Sequence, residues 1–253
     1  MVAGVLLAER VGPFDGCVDD VVIARYAAAL GVEQRPLLPT VLVTQIWEAQ
    51  NVARSAGRNC LVTLRYATVD SRDAVVAEQW WTTVYLGTGC DPTGEATQAH
   101  TFPDDARDRP IGTWTRLVDG DMPRRYAEAS GDWSDHHFDL DAARRSGADS
   151  IFLHGLCTLG LCAQAVTELA PGGDPGRLGR IAVRFAAPTP VGESLHVRLY
   201  EAGEGAVAFE ADCAGTAVIT HGRAELRDRR EERRRSSSAG RQSEARGAGG
   251  PNQ

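Results

Sequence analysis

The chain has 253 residues, 43% hydrophobic and 24% charged, which is a globular composition long enough for one large domain or two of about half that length. All 27 basic residues are arginine; the absence of lysine excludes a Walker-A phosphate loop, a lysine Schiff base and any lysine nucleophile. The net charge is −7, but from Arg227 onward eight arginines face four acids, so the tail carries +4 and residues 1–226 carry −11. A body that acidic is a poor general nucleic-acid binder. The tail has almost no apolar residues and is expected to be a disordered, solvated extension.

Taken in chain order, the N-terminal apolar run Val5–Ala8 has no basic region ahead of it and is followed by Glu9 and Arg10, unlike a secretory signal. Residues 17–30 are expected to form a helix ending at Gly31, and residues 38–54 a second, mostly apolar helix. Strands are expected over 60–69 and 74–86, rich in Val, Thr, Trp and Tyr. Trp80 and Trp81 would then point to opposite faces as packing residues. Residues 87–112, with Gly, Pro, Asp and Thr throughout, read as a linker.

The second half begins with a short strand, Trp114–Val118, and a short helix, Met122–Ser130. A buried helix follows over Gly155–Leu169, closed by Pro171-Gly172-Gly173. Strands are expected near 179–187, 193–202, 205–214 and 216–226, with Gly203 and Gly205 making a hairpin turn. The longest uncharged apolar-rich stretch, Ile151 to Val166, is 16 residues and contains His154 and Gln164, too short and polar to span a membrane. A soluble, cytoplasmic protein is expected. The six cysteines have no CxxC and no regular spacing, and read as reduced, mostly buried thiols.

Internal similarity organises these elements. Tyr26–Gly31 resembles Tyr126–Gly131 at an offset of 100, and Leu61–Tyr66 resembles Arg180–Phe185 at an offset of 119. Each half also carries a long apolar stretch, which a curved sheet is the natural element to wrap. The growth in offset falls between Gly131 and Gly155, so the second half holds an added segment, DWSDHHFDLDAARRSGADSIFLH, dense in acids and histidines.

Within that segment, Asp132 and His137 stand five apart, with His154-Gly155 opening the buried helix 17 residues later. A carboxylate and an imidazole so spaced can converge on one water, the imidazole exchanging a proton near neutral pH and the carboxylate orienting the water. The Gly155 N–H, at a helix N-terminus, suits a developing negative charge. The alternative is that Asp132 caps a turn and His137 packs. Asp132, Asp135, His136, His137 and Asp139 could together suggest a metal site. Adjacent ligands in one loop give poor tetrahedral geometry, and no HExxH or Cys/His set accompanies them, so no metal is expected.

The stretch SGDWSDHH followed by FLHGLCTLG resembles the signature of MaoC-like, or type-2 (R)-specific, enoyl-CoA hydratases. Their pattern runs Ser-Gly-Asp-x-Asn-Pro-aliphatic-His, then aliphatic-His-Gly at a helix start. The resemblance covers about 40 residues closely and the repeat architecture loosely. It implies an α+β double hotdog, two curved antiparallel sheets each wrapping a long helix. Residues 1–86 would be a degenerate N-terminal hotdog, 87–112 a linker, 113–226 the catalytic hotdog and 227–253 the disordered tail. The acyl chain is expected in a tunnel between the halves.

The resemblance further implies Asp132 and His137 as the catalytic pair and the Gly155 N–H as oxyanion donor. The expected reaction is reversible hydration of a trans-2-enoyl thioester to its (3R)-3-hydroxyacyl form, without metal or organic cofactor. Ser134 and His154 are expected on the substrate side, His154 positioning the helix start or its neighbouring loop with no proton-transfer role, and Arg144 and Arg145 near the phosphates of coenzyme A or a carrier arm, although a solvated helix face suits the two arginines equally. The expected partners are an acyl-CoA or acyl-carrier-protein substrate and a second copy in a homodimer, with neither nucleic acid nor membrane. Ser134, Asp135 and His136 stand where the family has Asn, Pro and an aliphatic residue. A carrier-linked dehydratase, a hotdog thioesterase and a non-catalytic subunit are the alternatives.

Overall fold

The computed structural model describes residues 14–19, 41–56, 59–69, 74–87, 101–170 and 174–228. These fall into two units, one ending before residue 100 and one beginning there.

In the first unit β1 (Phe14–Asp19), β2 (Val41–Ala56), β3 (Asn59–Val69) and β4 (Val75–Tyr85) form an antiparallel sheet in sequence order. The sequence predicts a helix over 38–54, and here the structure overturns it: 41–56 is a 16-residue strand paired with both β1 and β3. A continuous apolar run does not distinguish a buried helix from a buried strand by period. The β-branched content of this one (Val41, Val43, Thr44, Ile46, Val52) favours the pleated backbone, where stiff side chains lose less freedom. Residues 17–19, expected to start a helix, lie in β1, while the rest of that expected helix lies outside the described residues. The strands expected at 60–69 and 74–86 are β3 and β4. Trp80 lies under the Arg65 guanidinium at 5.7 Å, and Arg65 also pairs with Glu78. Trp81 is 44% exposed.

The second unit is built round one helix. Its elements are β5 (Pro110–Leu117), α1 (Met122–Ser130), α2 (Leu140–Arg145), β6 (Phe152–Leu153), α3 (Gly155–Leu169), β7 (Leu178–Phe185), β8 (Thr189–Pro190), β9 (Ser194–Glu201), β10 (Ala206–Cys213) and β11 (Thr216–Leu226). The main sheet is antiparallel in the order β5-β9-β10-β11-β7, and α3 packs against β5, β7 and β9. This is the hotdog arrangement. Alternation on β9 sends Leu195, Val197 and Leu199 inward, joined by Val207, Phe209 and Ala211 of β10. They meet Cys157, Leu161, Cys162, Ala165 and Val166 of α3, all fully buried. The expected helices at Met122–Ser130 and Gly155–Leu169 match α1 and α3 in full. The expected linker runs too far, because Ala106 is fully buried in a 3₁₀ turn and β5 begins at Pro110.

The internal match of Leu61–Tyr66 to Arg180–Phe185 does not join equivalent strands. The first segment lies in β3, flanked by β2 and β4; the second lies in β7, which pairs only with β11 among the described residues. Both are short apolar–basic–aromatic strands. Cys60 is disulfide-bonded, a correction to the expectation of reduced thiols throughout. Cys157, Cys162 and Cys213 are free and buried, their thiols pushed up by burial to about 12, 12 and 11, which leaves them unreactive.

Candidate active site

The loop between α1 and α2 begins where Gly131, with φ of +78°, ends α1 and returns its N–H to the Ala127 carbonyl at 2.8 Å. Asp132 follows directly, with its side chain held locally. The Ser134 backbone N–H and hydroxyl donate to Asp132 Oδ1 at 3.1 and 2.6 Å. Those hydrogen bonds, the hydroxyl first, hold the Asp132 carboxyl below its ordinary value despite partial burial. Ser134 therefore serves the acid rather than standing free beside it. A 3₁₀ turn over Asp135–His137 then turns the chain inward, and Asp139 caps α2 by accepting from the Ala142 N–H at 2.7 Å.

His137 is 5% exposed and its Nδ1–H donates to the Phe152 carbonyl at 2.9 Å. A carbonyl only accepts, so this bond fixes the tautomer and leaves Nε2 with the lone pair. Burial pushes the His137 pKa below its ordinary 6.5, with the neighbouring His154 and His136 adding to the fall. His154 is 2% exposed, and its Nε2–H donates to the Asp132 backbone carbonyl at 3.0 Å. Its pKa is also lowered, chiefly by burial.

The rings form a column. His154 stacks on His137 with centroids 3.7 Å apart; His136 lies 4.1 Å from His137 and stacks on Phe152 at 5.2 Å; Tyr126 lies 4.9 Å from His154. The Asp132 carboxylate and one ring nitrogen each of His137 and His154 lie within 4.8 Å of one another. That spacing suits a bridging water, which joins two groups about 4.5 Å apart through bonds of about 2.8 Å. It suits a metal poorly. Imidazole lone pairs lie in the ring plane, and two rings stacked 27° from parallel do not aim at one ion.

β6 carries the chain from this loop into α3. It pairs with β8, Leu153 opposite Thr189, and Thr158 of α3 donates its hydroxyl to Thr189 at 3.0 Å. His154 has non-helical backbone angles, φ −54° and ψ 136°, and Gly155 is the first helical residue, so its N–H belongs to the turn that has no intrahelical acceptor. The Phe185 ring covers Gly155, 3.5 Å from where a Cβ would stand. Leu156 and Phe185 beside it are 42% and 49% exposed.

The structure thus brings together Asp132, Ser134, His137 and His154, with Gly155 joined to the last by one peptide bond. Arg144 and Arg145 sit on the exposed last turn of α2, where Arg144 pairs with Asp141 at 3.6 Å. No described contact links either arginine to the histidines. Sequence reasoning missed Tyr126 and Phe152, which complete the ring column. No local signal marks them, since they arrive from α1 and β6.

Residues 103–222 match the MaoC like domain family. The chain is 32% identical over 184 residues to the 3-hydroxyacyl-thioester dehydratase Y of Mycobacterium tuberculosis, covering 69% of this chain and 60% of that protein. It is 30% identical over 99 residues to the probable enoyl-CoA hydratase 2 of Dictyostelium discoideum, covering 38% of this chain and 34% of that one. The chain therefore spans less than two thirds of the length of these relatives. The crystal structure of a MaoC-like dehydratase from Phytophthora capsici superposes with a TM-score of 0.75 at 19% identity, over 86% of this chain and 96% of that one. Across residues 103–222 this chain carries a MaoC-like dehydratase domain.

Proposed function

We propose that this chain is a hydro-lyase that reversibly hydrates a trans-2-enoyl thioester to the (3R)-3-hydroxyacyl thioester. The observation that supports this most is the pairing of an ionised Asp132 with a neutral His137 whose Nε2 is unprotonated, a carboxylate oxygen and a His137 ring nitrogen lying within 4.8 Å of one another. In hydration a water between them donates hydrogen bonds to both groups. Its oxygen forms a bond to Cβ as the C=C electrons move through Cα toward the thioester oxygen. The pair takes the water's proton and returns it to Cα, so atoms and charge balance at the end of the cycle. The Gly155 N–H at the start of α3 holds the enolate oxygen as charge develops. Dehydration runs the same steps backward.

No metal or organic cofactor enters this scheme, because the thioester itself acidifies Cα. The exposed Leu156 and Phe185 beside Gly155 suit an apolar acyl chain. Ser134 is assigned to Asp132 rather than to substrate, and Arg144 and Arg145 to the phosphate end of a coenzyme A or carrier arm. The N-terminal unit, whose sequence has no counterpart of the Asp132–His137 segment, is assigned no chemistry.

The test is incubation with trans-2-enoyl-CoAs of graded length. Loss of the conjugated-thioester absorbance, with (3R)-3-hydroxyacyl-CoA recovered and no free thiol released, is the expected result. Release of coenzyme A with a free acid would make the protein a thioesterase instead. No conversion of either enoyl-CoA or (3R)-hydroxyacyl-carrier-protein substrates by folded protein would overturn the reading.

A further inference from the structure

His154 is a buried side chain. It is 2% exposed, His137 covers one face at 3.7 Å, and Tyr126 lies 4.9 Å away. Its two nitrogens have different fates. Nε2–H donates to the main-chain carbonyl of Asp132, while Nδ1 is buried without a hydrogen-bond partner among the described residues. A buried imidazole with one nitrogen unsatisfied is a cost that a merely packed side chain need not carry. Leu or Phe would fill the volume.

We infer that His154 is a positioning residue: its Nε2–H fixes the backbone of Asp132 and its ring face fixes the plane of His137, locking both members of the pair to the first residue of α3. The hydrogen bond crosses 22 residues of sequence and reaches the main chain rather than the side chain of Asp132, so it sets where the carboxylate starts without consuming its oxygens. The ring contact does the same for His137, whose tautomer is set separately by Phe152. Because Gly155 follows directly, the dipeptide ties the proposed water-activating pair to the proposed oxyanion donor. A shift of about 1 Å between such groups costs on the order of 100-fold in rate.

The inference rests on the catalytic reading above, and two variants separate its elements. His154→Phe keeps a ring against His137 and removes the N–H; His154→Gln keeps a side-chain N–H and removes the ring. For both, kcat and KM with an enoyl-CoA are measured beside the amide spectrum of residues 130–137 in 15N-labelled protein. His154→Phe is expected to lower kcat by about 10- to 100-fold, with KM within about twofold, and to shift the Asp132 and Trp133 amides. His154→Gln is expected to recover part of the kcat and most of those shifts. Equal kcat for His154→Phe and wild type, or amides unmoved in both variants, would overturn the inference. So would a His154→Gln variant as impaired as His154→Phe. Should wild type turn over no acyl thioester, the catalytic reading falls, while the amide shifts still decide whether His154 holds Asp132.

Discussion

At the scale of the residue, the proposed site pairs an acid kept charged with a base kept neutral. Asp132 is held ionised by the Ser134 hydroxyl, and His137 is held uncharged by burial. The Ser134 hydroxyl donates to the carboxylate two residues before it. The sequence pointed to Asp132, His137 and Gly155 because their spacing is a local pattern. It did not disclose what Ser134 and His154 touch, since both assignments depend on chain reversal at Gly131 and on β6 returning beside the loop. A pH dependence follows. In the proposed mechanism His137 works only when neutral, and its folded pKa lies below 6.5, so kcat/KM is expected to hold as pH falls through 6.5 and to decline only below it. Stability has the same sign. The folded pKa values of His137 and His154 are both depressed, so the unfolded chain binds more protons below its own value of about 6.5. Their contribution is complete above that pH and is lost as pH falls through the folded values. Melting temperature measured from pH 7.5 to 5 is expected to drop, and to drop less in His154→Phe.

Elements were legible where amphipathic pattern and punctuation agreed. Pro123 near the start of α1 and Gly131 at its end bounded that helix, and α3 was bounded by His154-Gly155 and the Pro171-Gly172-Gly173 stop. β2 was misread because its apolar run carries no period and its partners lie elsewhere in the sequence. A second feature escaped notice for the same reason. On β11, His221 has φ of +54° and Gly222 faces Phe209 so closely that a Cβ would lie 2.5 Å from its carbonyl oxygen and 2.6 Å from its ring. Pairing to β7 skips from Thr220 to Arg223 there, so the strand bulges round the core phenylalanine. Gly222→Ala is expected to destabilise the protein by about 3 kcal/mol, because buried backbone must move to admit the methyl. Chemical denaturation reads this directly, and an unchanged midpoint would contradict the account of the bulge.

For the whole molecule, the acidic body bears on the carrier. With −11 over residues 1–226, an acidic carrier protein is repelled except where arginines cluster. The same enoyl chain is therefore expected to give a higher kcat/KM as its coenzyme A ester than on a carrier protein, and the carrier-linked reaction is expected to gain more from added salt. A carrier substrate preferred at low salt would reverse that assignment. The hotdog was legible as a long apolar helix followed by an antiparallel run, which the second unit displays as α3 and β7 through β11. Pairing of the two halves by internal similarity was less legible, since short apolar strands resemble one another wherever they sit in a sheet.

In the proposed mechanism Asp132 and His137 together activate the water. The most direct measurement is kcat/KM for a trans-2-enoyl-CoA in wild type, Asp132→Asn and His137→Ala, each shown folded by its melting curve. Losing either partner of a general acid–base pair is expected to cost about 10²- to 10⁴-fold. The two losses should not add in the double variant, because the pair acts on one water. Turnover unchanged in either single variant would contradict the account and move the chemistry elsewhere.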